Sequence, residues 1–167
     1  MNTPTLNEGY RYECNKWNED VPPVEERHQS LDCRSLSVWG NPPREIIEKM
    51  GAIGAKHLSG AFAYKPGDFQ GWHTNGNALG QRVYISWAEE ANMSGMRFFV
   101  DGKVVESPDT GGWCIRAFTP PVWHSVYANC VRASIGFLFP EESPFGIDII
   151  QPIAIEKLDD IERLASQ

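Results

Sequence analysis

Three short stretches of the chain carry residue types able to do more than pack: His73-Thr74-Asn75, His124, and Arg132-Ala133-Ser134. A His-x-Asp pair just ahead of a strand would be half of an iron site, because imidazole and carboxylate both ligate first-row divalent metals. Here the third residue is Asn75, whose amide oxygen can ligate a hard cation but brings no formal charge. Arg132 and Ser134 stand two apart on a strand and so share a face. Together they make a carboxylate clamp, the guanidinium giving two fixed donors and the hydroxyl one more. Tyr84 adds a phenol donor from a neighbouring strand. Of the other two histidines, His28 sits in a polar N-terminal arm and His57 at the end of a helix. Neither has a ligand-like neighbour, and both read as structural or surface residues.

The elements that must position these groups are mostly strands. Residues 1–30 read as an irregular arm with room for one short strand. Leu36–Gly40 reads as a strand. A helix follows in which Asn41 can cap, Pro42 and Pro43 fit the first turn, and Ile46, Ile47, Met50 and Ile53 form one stripe that braces a sheet. The pattern then changes. "LSGAFAY", "RVYISWA", "GWCIRAFT", "VWHSVYA" and "VRASIGFLF" are strand-like runs separated by Pro, Gly or Asn. "MRFFVDGKVVES" holds Asp101-Gly102 between two apolar runs, a strong hairpin signal. The C-terminal "IEKLDDIERLASQ" reads as a short amphipathic helix. Such spacing predicts a mainly β chain with flanking helices, an antiparallel barrel or sandwich such as a jelly roll.

Alternation assigns the faces. Val83, Ile85 and Trp87 share one side of their strand, and Arg82, Tyr84 and Ser86 the other. Downstream, Val131, Ala133, Ile135 and Phe137 oppose Arg132, Ser134 and Gly136. The glycine leaves room on the polar side. His73 and His124 both follow a tryptophan, and both lie at strand mouths.

The ordered set His73-x-Asn75, a gap containing a hairpin, His124, then Arg132-x-Ser134 resembles the Fe(II)/2-oxoglutarate-dependent oxygenases. The resemblance covers Phe62 to Phe139. It implies a double-stranded β-helix (a cupin-like jelly roll) in a single domain, 1–167. Residues 1–60 form its arm, strand and bracing helix, 61–140 the β-helix core, and 141–167 a tail and helix. It implies Fe(II) held by His73, His124 and the Asn75 position, with 2-oxoglutarate as co-substrate. His73 and His124 would then be catalytic, and Arg132 and Ser134, with help from Tyr84, would bind the co-substrate's far carboxylate. The reaction couples decarboxylation of 2-oxoglutarate to oxidation, most simply hydroxylation, of a small molecule or a residue of another protein. Trp72 and Trp123 would shield the centre or serve as core aromatics.

Asn75 departs from that family's pattern and leaves several readings open. It coordinates weakly, or cedes its place to water or substrate. Another residue reaches in, with Asp68 and Asn77 the nearby choices. Asn75-Gly76 deamidates to restore a carboxylate. Or the chain is a non-catalytic cupin-like binding module in which Arg132 still holds an acid. A cupin enzyme of another kind, an isomerase or a dioxygenase without co-substrate, is a third class.

Bulk properties fit this picture. The chain has 167 residues, enough for a core without a metal or disulfide staple, and a net charge of -7 that disfavours nucleic acid as a partner. No apolar run is long enough to span a membrane, and the N-terminus lacks the apolar segment of a signal peptide, so cytoplasmic location is the expectation. The four cysteines, Cys14, Cys33, Cys114 and Cys130, form no CxxC pair and are expected as reduced thiols.

Overall fold

The computed structural model describes residues 1–14, 20–22 and 33–167. In chain order they form β1 (Glu8–Tyr12), β2 (Arg34–Trp39), α1 (Arg44–Ala52), β3 (His57–Tyr64), β4 (Phe69–His73), β5 (Gln81–Ala88), β6 (Ser94–Val100), β7 (Lys103–Pro108), β8 (Gly112–Phe118), β9 (Trp123–Ala128), β10 (Arg132–Phe139), β11 (Ile149–Ala154) and α2 (Leu158–Ala165). His28 lies outside the described residues.

The core strands make a long hairpin rolled up on itself. Strands β3 to β6 run out and β7 to β10 run back, so that β6 pairs with β7, β5 with β8, β4 with β9 and β3 with β10, all antiparallel. Its tip is the Asp101-Gly102 turn, where φ is 51° and 74°. Both values are positive, as a type I′ turn requires, and Asp-Gly is the pair that tolerates them. Rolling adds the β5–β10 and β6–β9 pairings. The result is two sheets, β3-β10-β5-β8 and β4-β9-β6-β7, which is the double-stranded β-helix or jelly roll. Strand β2 joins the sheets by pairing with β3 through Ser37 and Val38 and with β4 through Arg34 and Ser35.

The alternation of β5 and β10 has an unusual outcome: the polar faces point into the barrel and the apolar faces point out. Val83, Ile85, Ala133, Ile135 and Phe137 pack beneath the helices, against Ile46 and Met50 of α1 and Ile161 and Leu164 of α2. Ile47 and Ile53 complete that stripe as half-buried neighbours. Inside the barrel a smaller apolar cluster, including Leu36, Met96, Phe98, Phe118 and Val126, fills one part of the space. The remainder is left to polar groups.

Several sequence-based expectations need correction. Asn41 does not cap α1. The capping position is Pro43, without a side-chain bond, while Asn41 Oδ1 accepts from the Asn7 amide at 2.8 Å and Trp39 Nε1 at 3.1 Å, tying the arm to β2. His57 opens β3 instead of closing the helix. His73 belongs to a strand of its own, β4, and β11 also lacks a sequence forecast. Cys14 and Cys33 form a disulfide with a Cα–Cα distance of 5.6 Å, so the expectation of reduced thiols holds only for Cys114 and Cys130. The pairing of β1 with β2 brings the ends of the intervening segment together. Among the described residues no helix is long and apolar enough to cross a membrane.

Candidate functional site

His73 ends β4 and His124 is the second residue of β9, and the two are direct cross-strand partners. Each ring is anchored in the same way. His73 Nδ1 lies 2.7 Å from the Gly71 carbonyl oxygen, and His124 Nδ1 lies 2.8 Å from that of Val122. A carbonyl can only accept, so each Nδ1 carries a proton, which in the neutral form of either ring leaves the lone pair on Nε2. The ring centroids are 4.0 Å apart, and both side chains are buried. Burial holds the His124 pKa well below its ordinary value, reinforced by the neighbouring His73 and by Arg82 and opposed by the Val122 carbonyl. The ring is therefore neutral and able to donate its lone pair at physiological pH.

Asn75 follows two residues later with φ of 54°, a left-handed conformation that Asn adopts more readily than most residues. This bend carries its side chain back to the histidines. Its Nδ2 lies 3.1 Å from His124 Nε2 and donates to the Tyr84 hydroxyl at 3.3 Å. The amide thus stands at the lone pair a metal would use, with its nitrogen facing inward. A half-turn of the amide would present oxygen to a cation instead. Asp68, considered as a substitute carboxylate, is engaged elsewhere: Arg11 grips both its oxygens at 3.0 and 2.8 Å, and the Lys65 amide donates to it. Among the described residues no group of three or more His, Cys, Asp or Glu is placed to hold a metal.

The histidines open on a cavity of about 580 Å³ between the sheets. His73, Asn75, Tyr84, His124, Arg132 and Ser134, the residues singled out by sequence, all line it, as does Asn77. Trp72 and Trp123 do not. Three arginines, Arg34, Arg82 and Arg132, contribute to the wall, and no described carboxylate does. Its wall is thus rich in guanidinium groups inside an acidic protein.

Arg132 is not a bare clamp. Its Nε donates to Asp109 Oδ2 at 2.8 Å and its Nη2 to Ser86 Oγ at 3.2 Å, leaving Nη1 buried with no hydrogen-bond partner among the described residues. Ser86 in turn bonds Ser134 across the strands, Oγ to Oγ, at 3.0 Å. Asp109 also accepts from Arg116 Nη1 at 2.6 Å and Ser94 Oγ at 2.6 Å. Burial alone would raise its carboxyl pKa, but the Arg132 and Arg116 charges and these bonds outweigh it and hold the group ionised, well below the usual carboxylate range. Two guanidiniums share one carboxylate, so the cluster keeps one positive charge and one spare donor, Nη1, for an incoming anion.

Gly136 makes room at the middle of the floor. A Cβ there would meet Ser59 Oγ at 2.5 Å and the Tyr84 ring at 2.8 Å. Sequence reasoning found this glycine and placed Arg82 on the polar face, but it missed Arg82's isolation and the Asp109–Arg116 support. Arg34, another wall residue it passed over, lies with its guanidinium 3.8 Å above the Tyr12 ring.

No family model matches the sequence, and no curated protein matches it. Comparison with solved structures finds a nickel complex of the non-haem monooxygenase ThoJ, at 14% identity and TM-score 0.38, covering 64% of this chain and 56% of that one. The chain thus spans little more than half the length of that protein. A predicted oxalate decarboxylase from Thermotoga maritima matches at 16% identity and TM-score 0.36, over 65% of this chain and 81% of that one. A cupin domain from Bordetella pertussis Tohama I matches at 18% identity and TM-score 0.32, over 50% and 93%. These overlaps are loose, and the chemistry of the site rests on its own residues.

Proposed function

We propose that the chain is a non-haem Fe(II) oxygenase that uses 2-oxoglutarate as co-substrate, most simply a hydroxylase. One observation carries the reading: two backbone-anchored histidines present Nε2 lone pairs to a cavity whose wall also holds a buried guanidinium with an unused donor. The donor set suits a divalent first-row metal, though incompletely. His73 and His124 would hold the ion as neutral ligands, and Asn75 would add an amide oxygen after its half-turn. Such a set gives no charge to offset a dication, and the arginines around it oppose one. An anionic co-ligand must therefore enter with the metal. A 2-oxo acid meets that need, since its keto-acid end chelates.

The metal, when bound, supplies the oxygen-activating redox chemistry that no side chain here possesses. The chain's own part is to bind, orient and exclude. Arg132 Nη1 and Ser134 Oγ receive the far carboxylate, while Asp109 and Ser86 fix the guanidinium's plane. The barrel wall keeps bulk water from the buried histidines. Tyr84, whose pKa burial raises, stays a neutral phenol between the two groups.

Anaerobic addition of Fe(II) and 2-oxoglutarate tests this. The expected result is a visible metal-to-ligand charge-transfer band that Arg132→Ala abolishes. Absence of the band, together with no Fe(II) binding by calorimetry, refutes the proposal. A second reading, a binding module without metal chemistry, draws on the Asn75 amide nitrogen now facing the His124 lone pair. It predicts 2-oxoglutarate binding of equal affinity with and without Fe(II).

A further inference from the structure

Arg132 serves one end of the cavity, and Arg82 lies at the other. In the antiparallel β5–β10 register Arg82 stands opposite Leu138 while Arg132 stands opposite Ala88. Six residues separate the two levels, about 20 Å at about 3.3–3.4 Å per residue. One small dicarboxylate held at Arg132 leaves Arg82 unused.

Arg82 differs from its neighbours in what surrounds it. Arg116 and Arg132 are buried against Asp109. Arg82 is only 4% exposed, lines the cavity, and has a buried Nη1 with no hydrogen-bond partner among the described residues. No described carboxylate pairs with it. A guanidinium taken out of water without a counter-ion is costly to the fold. Arg82 lines the same cavity as His73 and His124, and its charge is felt at both Tyr84 and His124. We propose that Arg82 is the receptor for a second anion, the carboxylate of the molecule to be oxidised, so that the substrate is a small organic acid. This rests on the oxygenase reading above. The size of the cavity, about 580 Å³, suits a free small molecule. A guanidinium offers that acid two parallel donors.

Side-chain guanidinium 15N NMR on the full chain, with Zn(II) as a diamagnetic metal, tests it. Signals are assigned with Arg82→Gln and Arg132→Gln. Saturating 2-oxoglutarate should move the Arg132 signal. Propionate added next should move the Arg82 signal saturably, and propionamide should not. An Arg82 signal indifferent to propionate, or moved equally by propionamide, overturns the proposal. So does an Arg82 signal taken by 2-oxoglutarate itself, or one that answers only to inorganic phosphate. If 2-oxoglutarate leaves Arg132 unmoved while propionate moves Arg82, the co-substrate reading fails and the anion site stands. Thermal melts give an independent check. Removing an uncompensated buried cation should leave Arg82→Gln at or above the wild-type melting temperature, and a lower one would mark Arg82 as structural and end the proposal.

Discussion

Asp109→Asn isolates the ionic cluster behind the cavity. Asp109 is 1% exposed and bonded to Arg116, 0% exposed, and Arg132, 1% exposed. Asparagine keeps the shape but has one acceptor oxygen in place of two, and its amide nitrogen would face a donor. At least one guanidinium then loses its partner, and both lose their counter-charge. Breaking a buried ion pair by removing one member costs about 3–5 kcal/mol. At about 2–4 °C per kcal/mol for a domain of this size, the melting temperature should fall by about 6–20 °C. Arg44→Ala is the control. The Arg44–Glu48 pair is as short as Arg116–Asp109, at 2.6 Å, but its side chains are 88% and 61% exposed, so its loss should cost no more than about 0.5 kcal/mol. Urea unfolding with an unchanged slope would give both values. A loss below about 1 kcal/mol for Asp109→Asn would refute the claim that this carboxylate neutralises the two arginines.

The same group sets an acid response. The folded-state pKa of Asp109 lies below its unfolded value, so the stability it provides is complete at neutral pH and is lost as pH falls below the ordinary carboxylate value, about 3.9. Tryptophan fluorescence during acid titration should show a shallower loss for Asp109→Asn than for wild type, and equal slopes would reassign the effect to other acids. Asn75→Asp should tighten Mn(II) or Fe(II) by at least about tenfold in calorimetry, because one unit charge near a dication is worth several kcal/mol even at an effective dielectric constant of about 20. Unchanged affinity would place Asn75 away from the metal. Gly136→Ala forces a Cβ to within 2.8 Å of the Tyr84 ring, so it should cost about 1–3 kcal/mol and weaken 2-oxoglutarate binding. Wild-type affinity in a titration would show that Tyr84 has no part in the clamp.

The sequence made much of this legible. Alternation put Arg82 and Tyr84 on one face of β5 and Arg132 and Ser134 on one face of β10, because a strand's period of two survives any packing, and the β5–β10 pairing then made the two faces one surface. Asp101-Gly102 marked the tip of the rolled hairpin, because few pairs accept two positive φ angles. Other features lacked a local signature. Strand β4 is five residues long, contains Gly71, and follows a Pro-Gly turn, so it reads as loop. Strand β11 carries Pro152, which argues against a ladder and is admissible here because β11 ends the sheet path. Asn41 was a sound capping candidate, but Asn7, 34 residues away, and Trp39, two residues away, claim its oxygen. Asp109 sits in a stretch that reads only as a breaker, "SPDTGG", and its partners lie 7 and 23 residues away. The isolation of Arg82 is a property of what does not surround it, which no stretch of sequence records.

The contrast between the cavity and the surface bears on how fast a ligand arrives. The chain carries a net charge of -7, yet three arginines and no described acid line its cavity. A distant anion meets repulsion and feels attraction only inside the mouth. Screening acts first on the long-range part, since the Debye length shrinks from about 30 Å at 0.01 M salt to about 8 Å at 0.15 M. Association of an acidic ligand should therefore accelerate on adding moderate salt, the reverse of an enzyme that steers its substrate by surface charge. Dissociation accelerates too, as the contact ion pairs weaken, so exchange should quicken as salt rises from about 0.01 M to about 0.15 M.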